Sequence, residues 1–335
     1  MSKPLKRWCM LVAAIATALA VMLGAAVPAF AAEPGEESSW TNEPVNNGAD
    51  LQSPDTYSEA YDPAGNIVQV FRGLDNHVWI GSAYGVVFNA GGGTNTTVTY
   101  VAPRVLYSNG WFYAFHTGTD NRVYWSRVVD GYQGTATNWS PWEPIAGNAA
   151  TTQSVSVTSA PGWGLMMVWV GVGQTTMYSA WLPNGSDTFQ GTEQVYGASS
   201  DNAPTVYYNQ ADQAFELAYR GLDSRVYLTS QSLGAPGWPG GQIVYPGLST
   251  ETSPTVSVDP YGNLLLAAVD ENARVWFWAE NSNLQSYGWR QENTGYQTVH
   301  PVWLTIVGRV FYICLTALRN NEVYFKSAWD AQNGI

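Results

Sequence analysis

Five arginines stand in or beside short polar turns: Arg72, Arg122, Arg220, Arg225 and Arg274. Two of them open an Arg-Gly-Leu-Asp turn, which brings in Asp75 and Asp223. A planar guanidinium offers several donors to ring and hydroxyl oxygens, and a carboxylate accepts from hydroxyls. Trp139, Trp142, Trp238 and Trp289 fall on polar segments expected at the outside of the molecule, where an indole face can pack against the C–H face of a pyranose. Donors, acceptors and rings of this kind suit sugar recognition, so these eleven residues are the candidate ligand contacts. Each also has a plainer use: Gly as a turn former, Asp as a turn cap, and strand aromatics as packing between sheets.

Other chemistries are poorly supplied. The chain has only His77, His116 and His300, no Gly-x-Ser-x-Gly, no metal-ligand spacing of His and Cys, and no acidic calcium loop. Sialidase-type Asp boxes are missing too. The expectation is therefore no catalytic residue, no metal and no cofactor. A glycosidase or lyase needs only two carboxyl groups within about 10 Å, so it stays open as an alternative.

These residues need a scaffold, and composition narrows it. Of 335 residues only 12% are charged and 14% aromatic, with 33 Gly and 18 Pro, while helical runs of Lys, Glu, Ala and Leu are missing beyond the first thirty residues. That is the profile of an all-β body with ample apolar surface to bury, not of a disordered chain or a helical bundle. A net charge of −12 argues against a nucleic-acid partner, because phosphate binding needs a basic face.

One pattern recurs six times: an apolar strand, a polar turn with Asp or Asn, then Val or Met followed by an aromatic. The closing aromatics are Trp79, Tyr124, Tyr178, Tyr227, Trp276 and Tyr324, spaced by 45, 54, 49, 49 and 48 residues. Pro54, Pro103, Ser154, Pro204, Pro254 and Pro301 open each unit with nearly the same period. Periods of 40 to 50 residues built from short strands mark β-propeller blades. Residues 255–258, 264–269, 274–280 and 289–293 divide one unit into four strands. The chain ends soon after the third strand of the sixth unit, and Trp40-Thr41-Asn42-Glu43-Pro44 resembles the outer strands elsewhere. The sequence thus predicts a six-bladed β-propeller of four antiparallel strands per blade, closed by the N-terminal strand, with ligand pockets in clefts between blades on the face of the Arg-Gly-Leu-Asp turns.

The first 31 residues read as an address. Lys3, Lys6 and Arg7 precede an apolar run from Met10 to Val27, and Ala29-Phe30-Ala31 supplies the small residues that a signal peptidase reads. Cleavage after Ala31 leaves a single domain over 32–335, exported and extracellular, with no membrane span. It removes three cations and no acid, taking the net charge from −12 to −15. Cys9 leaves as well, so Cys314, in an apolar strand, is expected to be a buried structural thiol.

The chain resembles the bacterial β-propeller lectins of the PLL type in the segments Arg72–Trp79, Thr117–Trp125 and Arg220–Tyr227, and in Trp139-Ser140-Pro141-Trp142-Glu143. Tectonin-like proteins and fungal fucose lectins are similar more distantly. The resemblance implies non-catalytic binding of fucose-like or O-methylated sugars at several inter-blade pockets. The third unit departs by lacking both Arg and Asp, the fifth and sixth lack the Gly, and the best-known PLL-type propellers have seven blades. An interaction propeller, serving as accessory or targeting subunit of a secreted complex or toxin, is the other alternative function. Intact-mass measurement of the exported protein should give a chain beginning at Ala32.

Overall fold

The computed structural model describes residues 41–42 and 53–330, apart from 56, 83–86, 91–96, 132–137, 146, 148, 241, 284, 293–296, 308–309, 317 and 319–322. The leader over 1–31 lies outside the described residues. Among the described residues, no helix is long and apolar enough to cross a membrane. The protein is an all-β propeller with antiparallel strands.

The described strands fall into six four-stranded sheets. Blade 1 comprises Ser58–Tyr61, Ile67–Arg72, Val78–Ser82 and Val87–Asn89. Blade 2 comprises Arg104–Ser108, Trp111–Thr117, Val123–Val129 and Glu143–Pro144. Blade 3 comprises Ser156–Ala160, Gly164–Val170, Thr176–Pro183 and Gln190–Ser199. Blade 4 comprises Thr205–Asn209, Ala214–Arg220, Arg225–Ser232 and Ile243–Ser249. Blade 5 comprises Thr255–Val258, Leu264–Val269, Val275–Glu280 and Ser286–Gln291. The last sheet, blade 6, holds Trp303–Val307, Val310–Thr316 and Val323–Asp330, and the two-residue strand Thr41–Asn42 pairs Thr41 with Phe325 and Asn42 with Tyr324.

Burial follows from strand order. The second strands are mostly apolar, and in blades 3 and 5 they are continuous apolar runs in which every residue is buried. Their alternating side chains serve two neighbours, since successive residues point to opposite faces. Leu264, Leu266 and Ala268 pack toward blade 4, whereas Leu265, Ala267 and Val269 pack toward blade 6. Each junction between consecutive blades has its own core, and among the described residues the one joining blades 6 and 1 holds Tyr57, Phe71 and Cys314, flanked by Trp79 and Trp303. The fourth strands are mostly exposed, as in Gln190–Ser199 and Ile243–Ser249, where only Val195, Ala198, Tyr245 and Leu248 are buried. Cys314 is a free, buried thiol, and burial among apolar groups raises its pKa well above the ordinary value.

Hydroxyl groups on the first strands, on the link before one of them and at the end of one second strand stitch neighbouring blades together. Ser58 Oγ donates to Val105 O at 3.3 Å and accepts from Val105 N at 3.1 Å. Ser154 Oγ donates to Ala102 O, Ser156 Oγ accepts from Val206 N, and Thr158 Oγ1 accepts from Tyr208 N. Thr205 Oγ1 donates to Pro254 O at 2.9 Å and accepts from Val256 N at 3.2 Å. Thr255 Oγ1 donates to Val302 O at 2.6 Å, and Thr316 Oγ1 reaches Asp55 O at 3.4 Å. The edge of an inner strand would otherwise expose backbone groups with no partner in a crowded centre.

Replacing Thr205 with Val removes both bonds while keeping the shape. Leaving a buried N–H and C=O unmatched costs about 1–3 kcal/mol. Thermal unfolding of Thr205→Val should shift downward accordingly, and Thr205→Ser, which retains the hydroxyl, should recover most of the loss.

Candidate functional site

The turns between second and third strands share one local design. In blade 1, Gly73 N donates to His77 O and Asn76 N donates to Gly73 O. Asp75 Oδ1 accepts from His77 N at 3.0 Å and from Trp79 Nε1 at 3.1 Å. Blades 2 and 4 repeat this, with Asp120 accepting from Arg122 N and Tyr124 OH, and Asp223 from Arg225 N and Tyr227 OH. In blade 3, Gln174 takes the acceptor's place for Tyr178 OH.

The glycine of the turn is required for a reason other than turn geometry. Gly73, Gly118, Gly171 and Gly221 lack the left-handed backbone; a Cβ at Gly221 would lie 2.4 Å from the Tyr227 ring, and one at Gly73 2.6 Å from Trp79 Nε1. The left-handed residue comes later, at Asn76, Asn121 and Ser224 with φ of 62°, 66° and 63°. The third-strand aromatics therefore fold down over the turn and also flank the cores between blades, as the sequence led us to expect, with Tyr178, Tyr227, Trp276 and Trp79 all packed there. Tyr227 stacks on Tyr219 and Tyr124 on His116, with centroids 5.3 Å apart in both pairs.

Blade 5 reaches the same end differently. Asp270 occupies the glycine position, and its carboxylate accepts from Asn272 N, Arg274 N, Arg274 Nε and Trp276 Nε1. Burial alone would raise this carboxyl, but those four donors outweigh it and hold the pKa below the usual range.

The turn arginines are engaged within the fold. Arg72 Nε bonds Asp55 Oδ2 at 2.5 Å and its Nη1 bonds Asn76 Oδ1 at 2.9 Å. Arg220 uses three nitrogens, on Thr250 O, Asp201 Oδ1 and Ser224 Oγ at 2.7, 2.5 and 2.6 Å. Since Asp55, Asp201 and Thr250 belong to the links leading into first strands, these arginines fasten turns to links. That confirms that the two sets of loops share a face. Arg225 and Arg122 are exposed, Arg225 beside Asp223 at 3.6 Å, and Arg274 is partly exposed beside Asp270 at 2.7 Å.

The four tryptophans lie elsewhere. Trp139 (8% exposed) sits in the core between blades 1 and 2, and Trp238 (4%) in that between blades 3 and 4, donating Nε1 to Ser179 Oγ at 3.0 Å. Trp142 donates to Ala90 O across blades 1 and 2 and packs edge-on to His116. Trp289 is half-buried against Trp278 in the core of blades 4 and 5. The tryptophans thus anchor outer segments to the preceding blade, and the structure does not bring them together with the turn arginines.

An inter-blade cleft does exist, at the opposite end of the blades. A cavity of about 250 Å³ opens between blades 3 and 4, lined by Pro161, Trp163, Tyr208, Gln210, Gln213 and Leu233. Trp163 is 55% exposed at the tip of the hairpin between first and second strands, framed by Gly162 and Gly164 in left-handed or extended-positive backbone, φ 77° and 143°. Its indole, a tyrosine ring and two side-chain amides supply a flat apolar platform with donors and acceptors beside it. Sequence reasoning missed this cleft, although a tryptophan between two glycines in a hairpin was a readable sign of an exposed ring.

Glu216 is buried on the second strand of blade 4, and burial raises its carboxyl pKa, opposed by bonds from Ser230 and Asn209. It does not line this cleft. Among the described residues, no group of three or more His, Cys, Asp and Glu could hold a metal ion.

No family model matches the chain, and no curated protein matches it. Solved structures do. A lectin from Burkholderia pseudomallei aligns with a TM-score of 0.60 at 11% identity, covering 83% of this chain and 81% of its own. AofleA from Arthrobotrys oligospora aligns at 0.58 and 13% identity, covering 87% and 90%. The Aleuria aurantia lectin, described as a six-bladed β-propeller with a fucose recognition mode, aligns at 0.57 and 7% identity, covering 83% and 92%. This chain shares the propeller fold of these lectins.

The stability supplied by the Asp270 carboxylate is complete above its unfolded pKa, near 3.9, and is lost as pH falls through the lower folded value. Asp270→Asn should lower the melting temperature at pH 7 and reduce the steepness of acid destabilisation below about pH 4, measured by thermal melts across pH.

Proposed function

We propose that this protein is an exported, non-catalytic carbohydrate-binding propeller, a lectin, with its sugar site in the cleft between blades 3 and 4. The observation that carries this reading is the exposed Trp163 ring beside Tyr208, Gln210 and Gln213 in a concave site of about 250 Å³. That size suits a monosaccharide or the end of a longer glycan. The propeller likeness to fungal and bacterial lectins supports the class. So do the Arg-Gly-Leu-Asp turns and the Trp-Ser-x-Trp-Glu segment, which tie the chain to the PLL type.

In this reading the ring has six blades, the last completed by the mature N-terminal strand. Pairing of Thr41 and Asn42 with the third strand of the sixth sheet supports that arrangement. Arg72 and Arg220, with Asp75 and Asp223, serve mainly to hold loops in place, and Arg122, Arg225 and Arg274 are the turn cations left accessible for a ligand.

A second reading is favoured by a different observation. Leu74, Leu222 and Leu318 are 63%, 58% and 50% exposed at turn tips on one face, which suits a protein partner in a secreted complex.

A glycan array on the mature protein decides between them. Binding to a defined set of glycans should weaken at least tenfold in Trp163→Ala, while Arg220→Ala should lower the melting temperature more than the affinity. Silence across a broad array, with a stoichiometric protein partner insensitive to free sugar, would replace the lectin reading with the second one.

A further inference from the structure

The residue that begins each first strand sits at an equivalent place around the centre of the ring. In blades 1, 3, 4 and 5 it is Ser58, Ser156, Thr205 and Thr255, and each of these hydroxyls bonds the backbone of the next blade. Blades 2 and 6 break the pattern with Arg104 and Trp303, a guanidinium and an indole where the others have hydroxyls. The two blades flank blade 1, and Arg104 Cζ lies 5.3 Å from the centroid of the Trp303 ring.

Beside them is a cavity of about 130 Å³ to which every blade contributes, through Asp55, Arg104, Ser154, Pro204, Ser253 and His300. It is the mouth of the central channel on the face of the Arg-Gly-Leu-Asp turns. Arg104 Nη1 and Trp303 Nε1 are both buried with no acceptor among the described residues. The one carboxylate among the lining residues, Asp55, is held by Arg72 Nε at 2.5 Å. Arg72 thus neutralises the one carboxylate that lines the mouth, and no ion pair engages Arg104 among the described residues, in a chain whose net charge is −12. Buried donors left over in pairs call for an acceptor, and a buried cation calls for an anion. Burial lowers the Arg104 pKa to about 10, with Asp55 opposing the shift, so the group is still charged at neutral pH.

The geometry points to a binding site for one small oxyanion at the channel mouth, a carboxylate or a tetrahedral phosphate or sulfate, with Arg104 as its principal contact. Guanidinium matches the paired oxygens of either kind. The site lies on the ring axis, apart from the cleft of blades 3 and 4, and does not depend on the lectin reading.

Isothermal titration of the mature protein with sodium acetate, glucuronate, phosphate and sulfate, each against sodium chloride at equal ionic strength, tests it. One ion per chain should bind at least one member of the series, with acetate and glucuronate separating a carboxylate site from a tetrahedral one. Arg104→Met should weaken that binding at least tenfold and leave glycan-array signals unchanged. Trp303→Phe, which keeps the ring and removes its N–H, should weaken it less and serves if the arginine variant does not fold. Heats no greater than those of chloride for all four salts, or undiminished binding in folded Arg104→Met, would overturn the site.

Discussion

Inner strands of a radial array have one difficulty that outer strands do not: their free edges face one another around the axis, where backbone groups need partners from outside their own sheet. Here side-chain hydroxyls resolve it. Ser58, Ser154, Ser156, Thr158, Thr205 and Thr255 bond the backbone of the neighbouring blade, and they do so at the places where the sheets approach most closely. The apolar cores between blades then form outside these bonds, with each second strand supplying side chains to both neighbours. Register between blades is fixed from the centre outward, and the position of every turn and cleft follows from it.

The turns are fixed by a second device of the same economy. A carboxylate caps two backbone or side-chain donors, and an aromatic ring closes over a glycine that has no Cβ to obstruct it. Blade 5 moves the carboxylate onto the glycine position itself and keeps the same indole contact through Asp270 and Trp276. With Arg72 and Arg220 tying turns to links, this face of the molecule is a preorganised surface and its charged groups are mostly spoken for.

Much of the architecture was legible in the sequence because repeats carry it. The period, the Pro and Ser markers before first strands, and the limits of 255–258 and 264–269 in blade 5 agree with the structure. The site was harder to read, since composition shows which groups can touch a ligand but not which are already occupied. Arg220 looked free and has three partners; Trp139 and Trp238 looked exposed and are core. The third-strand aromatics do pack at the inter-blade cores as expected, but their second contact, with a glycine six or seven residues earlier, was not read. The Arg104 and Trp303 pair was invisible for a different reason: its two members are 199 positions apart, and only the ring brings them together.

The lone buried thiol has a practical consequence. Cys314 lies with Tyr57 and Phe71 where the last sheet meets blade 1. A sulfhydryl reagent cannot reach it until that seam parts. Its rate of labelling is therefore a clock for how often the circle breaks open, obtained without adding any probe to the protein.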